Sequence, residues 1–425
     1  MSFRLSKPLL IEGRREWTLF FAGAAVLFFL SLGWRYVEYQ RFVAHKKLFF
    51  DADVLLHYTK TKRGRTYDVL KLQSDTLTFY TTTRKPLKEN LRGRRIRLVA
   101  FPSRVGFADY LTTPYLPSHL IKTVPSRSLR MRLYERIADQ HESPRMRELY
   151  GALFLALPIS KALREEVSRL GINHLLALSG FHMGLLWAIL YGTLSLLYRP
   201  LQSRFFPWRH RLLDVGAVTL LVLGGYLLLA GMPPSLLRAY AMVVAGWLAL
   251  LWGIELLSFS FLAVCVTVLA ALFPGLLLSL GFWLSVAGVF FIYLFLAWTQ
   301  GWPAWAVFAG LNVWVYLAML PAVHAFFPLF TPWQLLSPLL TALFALFYPL
   351  AMALHAVGLG GVMDEGVSAL LRLPGDGIGV QVGTPLWLLI LYVGTALAAV
   401  RWRFARYLQG GLALFFLLFL VEQVA

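Results

Sequence analysis

The sequence predicts a polytopic α-helical membrane protein with a small soluble all-β domain, an OB-type barrel, near its N-terminus. Three observations carry this. Only 14% of the 425 residues are charged and 58% are hydrophobic, whereas a soluble domain has about 25% charged residues. From 212 to 361 the only formal charges are Asp214, Arg238 and Glu255, and that stretch holds successive apolar runs of bilayer-crossing length, roughly 17–25 residues each. Residues 46–124, in contrast, alternate β-branched, aromatic and basic side chains.

Charge and cysteine usage narrow the classes further. The net charge is +19, and the excess lies mostly outside the apolar runs; between Arg35 and Arg147 basic residues outnumber acidic ones by roughly two to one. Such a region attracts polyanions, whether nucleic acid or anionic lipid. The single Cys265 lies in an apolar run, so neither an intrachain disulfide nor a cysteine metal site is expected.

Residues 1–45 carry Arg4, Lys7, Arg14 and Arg15 ahead of the apolar run 17–34. A signal peptide competes as a reading, but the run is long and "FFLSLGWRYVEY" offers no small-x-small cleavage site. An uncleaved anchor with a cytoplasmic N-terminus is expected. Residues 46–125 supply about five short strands, with "KRGR" and "LRGR" as turns; an OB-type barrel on the external, periplasmic side fits this length, and an unspecified β-sandwich is the alternative. From 126 to 172, "RSLRMRLYERIADQ" and "RMRELYGALFLALPISKALREEVSRLG" space apolar residues three and four apart, which predicts amphipathic helices lying in the membrane interface.

The channel-like remainder, 173–425, offers candidate spans near 174–197, 212–230, 237–254, 258–273, 279–298, 303–322, 335–357, 385–400 and 411–424. The basic connections 199–211 and 401–406 belong in the cytoplasm. Seven candidates separate them where an even number is needed, so at least one segment is expected to be re-entrant or broken, unless a further crossing is hidden. The glycine-rich 373–383 reads as a loop, and no G-x-x-x-x-G-K-[ST] is present, so the chain is not itself a P-loop motor.

Two polar stretches stand out inside apolar sequence, where polar groups are expensive and face protein or a water-filled path. In "INHLLALSGFHMGLLWAILYG", His174 and His182 fall about 80° apart on a helix, with Ser179 one turn before His182. Interhelical packing, a Ser–His nucleophile pair without an adjacent carboxylate, and a zinc site without further ligands all remain open. In "GMPPSLLRAYAM" the prolines break the chain, a helix starts near Ser235, and Arg238 sits in its first turn against the helix dipole. Either an anionic ligand sits there or the arginine snorkels to the interface.

On these motifs the sequence resembles the ComEC family of competence proteins, membrane channels that bring single-stranded DNA into transformable bacteria. "GINHLLALSGFHMGLL" matches through Gly171, His174, Leu175, Leu176, Ser179, Gly180 and His182. "GMPPSLLRAYAM" matches through Gly231, Ser235, Arg238, Ala239 and Met242, and "FPGLLLSLGFWLSVAG" through Pro274, Gly281, Phe282, Leu284 and Ser285. The family usually has an acidic residue near Ser279, glutamine at Trp283 and often asparagine at Ser337. Many members carry a C-terminal metallo-β-lactamase-like nuclease domain, whereas this chain ends at Ala425 without an HxHxDH cluster, so degradation of the second strand is expected to fall to another protein.

The resemblance implies an inner-membrane DNA-translocation channel, not an enzyme, with no cofactor or metal. His174, Ser179, His182, Ser235, Arg238 and Ser285 would line its path. Tyr58, Lys62, Arg63, Arg65, Tyr67, Phe79 and Tyr80 would bind single-stranded DNA on the β-domain by stacking and backbone neutralisation, although these aromatics could equally form the barrel core. Asp51 and Asp53 are a faint metal-site candidate for nuclease activity there; a solvated pair is the plainer reading. Expected partners are single-stranded DNA, the lipid bilayer, a DNA receptor and cytoplasmic DNA-handling or motor proteins. A membrane enzyme using Ser179, His182 and Arg238 on a lipid or other anionic substrate, or a small-solute transporter, are the alternatives.

Overall fold

The computed structural model describes residues 10–11, 13–83, 86–87, 89–124, 128–375 and 379–424. Arg4 and Lys7 of the N-terminal basic cluster, Arg127, and residues 376–378 of the glycine-rich loop lie outside the described residues.

Helix α1 (Arg14–Ala44) has 31 residues and buries none of them; it touches the bundle along one side, where the Ser31 hydroxyl donates to the Leu272 carbonyl at 2.9 Å. Its far end is fastened to the β-domain: Tyr39 donates to the Val105 carbonyl at 2.9 Å, and the Tyr36 and Tyr39 rings pack on Phe107 of the short helix described next.

The β-domain consists of β1 (Leu48–Lys62), β2 (Arg65–Gln73), β3 (Thr78–Thr82), β4 (Arg95–Ala100), α2 (Phe107–Leu111) and β5 (Ser118–Val124). The strands form one five-stranded antiparallel sheet in the order β3-β2-β1-β4-β5. The long β1 pairs with β2 along one stretch and with β4 along another, bending at an irregularity between Val54 and Leu56. The two sheet edges meet: Tyr80 N–H donates to the Pro114 carbonyl and Leu116 N–H to the Tyr80 carbonyl, both at 2.8 Å. Alternate residues point inward, and Ala52, Val54, Leu70, Leu72, Phe79, Ile96 and Leu98 fill the interior. Arg63 (φ 51°) and Gly64 (φ 72°) turn the β1–β2 hairpin, because a two-residue hairpin loop needs left-handed residues.

A buried His57–Asp68 pair braces this interior. The Leu91 N–H donates to His57 Nδ1 at 3.0 Å, which leaves the proton on Nε2, 2.9 Å from Asp68. Burial raises the Asp68 pKa, but donors from Leu87 N–H, Thr59 and His57 outweigh it and hold the carboxyl below its ordinary range.

Three short helices follow: α3 (Leu129–Ala138), α4 (Pro144–Leu155) and α5 (Lys161–Arg169). Helices α3 and α5 each bury one narrow stripe. Helix α4 differs from the interfacial expectation. It is buried continuously from Leu149 to Leu155, packed into the largest apolar cluster with Met183, Leu223 and Tyr348 of later helices. The three-and-four spacing was real, but small Gly151 and Ala152 let neighbours cover the remaining face as well.

Helix α6 (Asn173–Leu176) is a single turn, and α7 (Gly180–Phe205) starts after a break at residues 177–179. The expected continuous helix through His174 and His182 is therefore corrected. Ser179 adopts an extended conformation as the N-cap of α7, the role for which its hydroxyl suits it.

The remaining elements are α8 (Arg211–Leu229), α9 (Pro234–Leu251), α10 (Phe259–Leu272), α11 (Leu280–Trp298), α12 (Ala304–His324), β6 (Leu329–Phe330), α13 (Ser337–Ala356), α14 (Asp364–Arg372), β7 (Val380–Gln381), α15 (Leu386–Ala399) and α16 (Arg403–Glu422). Among the described residues eight helices are long and apolar enough to cross a membrane: α1, α7, α8, α9, α11, α12, the Pro332–Ala356 segment containing α13, and α16. Helices α10 and α15 have 14 residues each, about 21 Å at 1.5 Å per residue, short of a hydrocarbon core of about 30 Å. Two segments are thus too short to cross unaided. The basic connections also shrink. Helix α7 runs through Arg199 and Arg204, leaving 206–210, and α16 takes in Arg403 and Arg406. Arg209 clamps Asp214 with two bonds of 2.8 and 2.6 Å, fixing the tight α7–α8 turn.

Candidate functional site: a broken helix facing a buried arginine

Five of the six residues expected on the path converge where α7, α9 and α11 meet. The Ser235 hydroxyl donates to the Leu178 carbonyl at 2.6 Å, which ties the start of α9 to the break before α7. His182 Nδ1 lies 3.3 Å from the Ser179 N–H and 3.2 Å from its hydroxyl. A backbone N–H can only donate, so Nδ1 accepts and the proton sits on Nε2. That Nε2 is buried without a hydrogen-bond partner, against the Tyr348 and Phe344 rings at 4.8 and 5.2 Å.

Arg238 is 2% exposed. Its Nη2 donates to the Ser285 hydroxyl, Nη1 approaches Met242 Sδ at 2.9 Å, and Nε has no partner. No carboxylate among the described residues pairs with it. Its neighbours explain how it is held: a Cβ on Gly180 would lie 3.4 Å from Arg238 Nη2, so the bare glycine lets the first turn of α7 come close to the guanidinium. The N-terminus of a 26-residue helix and a guanidinium with no carboxylate partner among the described residues thus lie close together, and both attract anions.

His174 lies on a different helix from His182 but faces the same side of α13, whose Phe344 and Tyr348 pack on His182. It sits on α6 with Nε2 3.0 Å from the Thr341 hydroxyl of α13. The one-helix geometry that placed it beside His182 fails because the chain breaks between them.

On the β-domain, cross-strand register sorts the expected residues. Tyr58 lies opposite Val69, Lys60 opposite Tyr67 and Lys62 opposite Arg65, so these side chains share the outer face of the hairpin. Lys71 lies opposite Tyr80, its ammonium 5.5 Å from the ring centroid. Burial, then Arg164 and Arg130, depress the Lys71 pKa. Lys62, Arg63 and Arg65 are exposed and Tyr58 is 39% exposed. Phe79 is the correction: it is 0% exposed, alternating inward opposite Leu72, and belongs to the interior, where no base could stack on it.

The Asp51–Asp53 pair is occupied. Arg97 grips Asp51 with two 2.7 Å bonds, Arg95 stands 4.0 Å from Asp53, and no metal-holding cluster occurs among the described residues. Sequence reasoning missed Arg130. It lies within the stretch expected to form an amphipathic helix, and its guanidinium donates to the Leu155 carbonyl at 3.0 and 2.7 Å, to Ala156 at 3.2 Å, and to Gln73 of β2 at 2.5 Å. No local pattern distinguishes it from the exposed arginines around it.

A family model described as Competence protein matches residues 158–420, from the turn before α5 almost to the end of α16. No curated protein and no solved structure matches the chain. The matched span covers well over half of the chain and takes in all three sequence motifs and the whole broken-helix site: the chain belongs to the competence protein family, and its role lies in competence, the uptake of DNA.

Proposed function

We propose that this chain is the inner-membrane channel through which single-stranded DNA enters the cytoplasm during natural transformation. The observation that carries the reading is Arg238, a buried guanidinium that has, among the described residues, one unpartnered nitrogen and no carboxylate beside it, and that lies close to a helix N-terminus. A phosphate backbone passing in single file supplies the missing negative charge. The site is closed in this structure, so passage requires the α7–α9–α11 junction to part. A nucleophilic Ser179–His182 pair is disfavoured by geometry: His182 Nε2 faces aromatic rings, where an orienting carboxylate would be needed.

In this reading the β-domain is an OB-type barrel on the external side. Its β1 pairs with both neighbours and its ends are joined through Tyr80, the arrangement of a small, partly open barrel. Tyr58, Tyr67 and Tyr80 offer stacking faces among Lys60, Lys62, Arg63, Arg65 and Lys71, the combination that binds single strands without reading sequence. The N-terminus and the short connection at 206–210 lie in the cytoplasm, where a DNA-handling or motor protein draws the strand in, and an external DNA receptor delivers it. His174, bonded to Thr341, lines the same path from the α13 side.

Uptake of labelled DNA in a deletion strain tests this, with surface binding and cytoplasmic entry scored separately. The Lys62→Gln/Arg63→Gln/Arg65→Gln triple variant should fold normally, since all three side chains are exposed. It should bind single strands more weakly, with a log–log salt slope reduced by roughly 2, at about 0.7 per lost phosphate contact. An unchanged salt slope would remove the hairpin from the DNA path.

A further inference from the structure

The turn between α3 and α4 meets the C-terminal end of α13 through a chain of three titratable side chains. His355 Nδ1 lies 2.6 Å from the Ala351 carbonyl. A carbonyl only accepts, so Nδ1 carries the proton and a neutral His355 presents a bare Nε2. That lone pair faces His141 Nε2 at 3.0 Å, which must therefore donate. The other His141 nitrogen, Nδ1, sits 3.0 and 2.9 Å from the two Asp364 carboxylate oxygens and donates as well. All three bonds are satisfied together when the two histidines hold one proton beyond their neutral forms beside the Asp364 carboxylate, whichever ring carries it; a further proton leaves no acceptor between the rings.

The surroundings fix this triad in place. The Tyr150 ring of α4 stacks on His141 at 4.6 Å with an interplanar angle of 5° and lies 4.6 Å from His355. Arg147 Nε donates to the His141 carbonyl at 2.8 Å. Gln140 donates to the His355 carbonyl at 3.2 Å and accepts from Gly360 N–H at 2.8 Å. The approach of the two turns is close enough that a Cβ on Gly361 would fall 2.7 Å from the Gln140 carbonyl. The titratable and charged groups facing the pair are thus Asp364 on α14, Tyr150 and Arg147 on α4, and the two histidines themselves.

We propose that His141, His355 and Asp364 form a one-proton latch that fastens the α3–α4 turn to the end of α13 and opens when a second proton enters. A proton on His355 Nε2 sets N–H against N–H across 3.0 Å and places two imidazolium charges in contact, so the bond joining the turns becomes a repulsion. The carboxylate of Asp364 is partly exposed, which gives protons a route to the triad. The other end of the connection matters too: α13 carries Phe344 and Tyr348 against His182. A latch of this kind works whether or not DNA passes, so its test reads local opening alone.

The test is hydrogen–deuterium exchange of the full chain in lipid nanodiscs from about pH 6.5 to about pH 5, below the ordinary histidine value, where the opened turns hold two extra protons and the closed latch one, corrected for intrinsic exchange. Amides at 139–143 and 357–364 should lose protection as pH falls, by up to about tenfold per pH unit, the slope for one proton, while α7 stays protected. His355→Gln keeps an acceptor for His141 and cannot take up the proton, so its protection should be flat with pH. Asp364→Asn removes the carboxylate that accepts from His141 and stands opposite its charge, and should already exchange faster at the top of that range. Wild-type protection that ignores pH, a His355→Gln profile that keeps the wild-type slope, or a fully protected Asp364→Asn would each overturn the latch.

Discussion

Arg238→Ala should insert and fold normally yet admit DNA about tenfold to a hundredfold more slowly per folded molecule, the loss expected for one charge-assisted bond of about 1.5–3 kcal/mol. Two facts separate the effects on folding and transport. The guanidinium has no carboxylate partner among the described residues, so its removal strands no opposite charge; only the Ser285 hydroxyl and Met242 sulfur lose a neighbour. An arginine in mid-membrane costs about 2.5–3.5 kcal/mol on insertion scales, so alanine relieves a penalty. Arg238→Lys should recover part of the transport, because a moving phosphate needs charge more than a bidentate fork. Entry measured against the amount of folded protein distinguishes the outcomes: if entry falls only in proportion to folded protein, Arg238 is structural.

Arg130→Met should have the opposite signature, lost folding rather than lost transport per molecule. Arg130 satisfies the Leu155 and Ala156 carbonyls at the end of α4 and holds Gln73 of the β-domain. Burial lowers its pKa to about 10, which Asp53 partly offsets, so it stays charged at neutral pH. Each buried carbonyl left without a donor costs about 1–3 kcal/mol. Lysine should not rescue it, having no planar fork to span two carbonyls and Gln73 at once. Limited proteolysis between β5 and α3, with thermal unfolding, checks this: the variant should be cleaved faster and melt lower, whereas wild-type resistance would show that the β-domain is held by other contacts. Gly231 shares the site. A Cβ there would sit 2.6 Å from Arg130 Nη1 at φ +78°, so the helix break before Arg238 and the clamp on the β-domain are one packed unit.

What was legible in the sequence followed from periodicity and from polar residues in costly places. The apolar runs located the long helices because lipid leaves no other solution for the backbone, and Ser179, Ser235, Arg238 and Ser285 stood out because polarity inside such runs demands a partner. The break between His174 and His182 was not legible. "NHLLALSGFHMG" has helical spacing throughout, and only the Ser235–Leu178 bond, 57 residues apart in sequence, shows why the chain stops there. Phe79 and Tyr80 were equally ambiguous until register placed one inside and one outside. Arg130, His141 and His355 were invisible because their partners lie across the fold, beyond any local pattern.

The account places a single strand against the first turn of α7, and site-specific photocrosslinking reads that contact. Phe181 is 39% exposed and follows Gly180, beside the Arg238 guanidinium. A photoreactive phenylalanine analogue at 181, irradiated while labelled DNA is held in mid-transit by a bulky 5′ block, should attach to the DNA and should lose that attachment on Arg238→Ala. Crosslinks to DNA from position 67 on the β-domain but none from 181, under conditions where DNA reaches the cytoplasm, would contradict it.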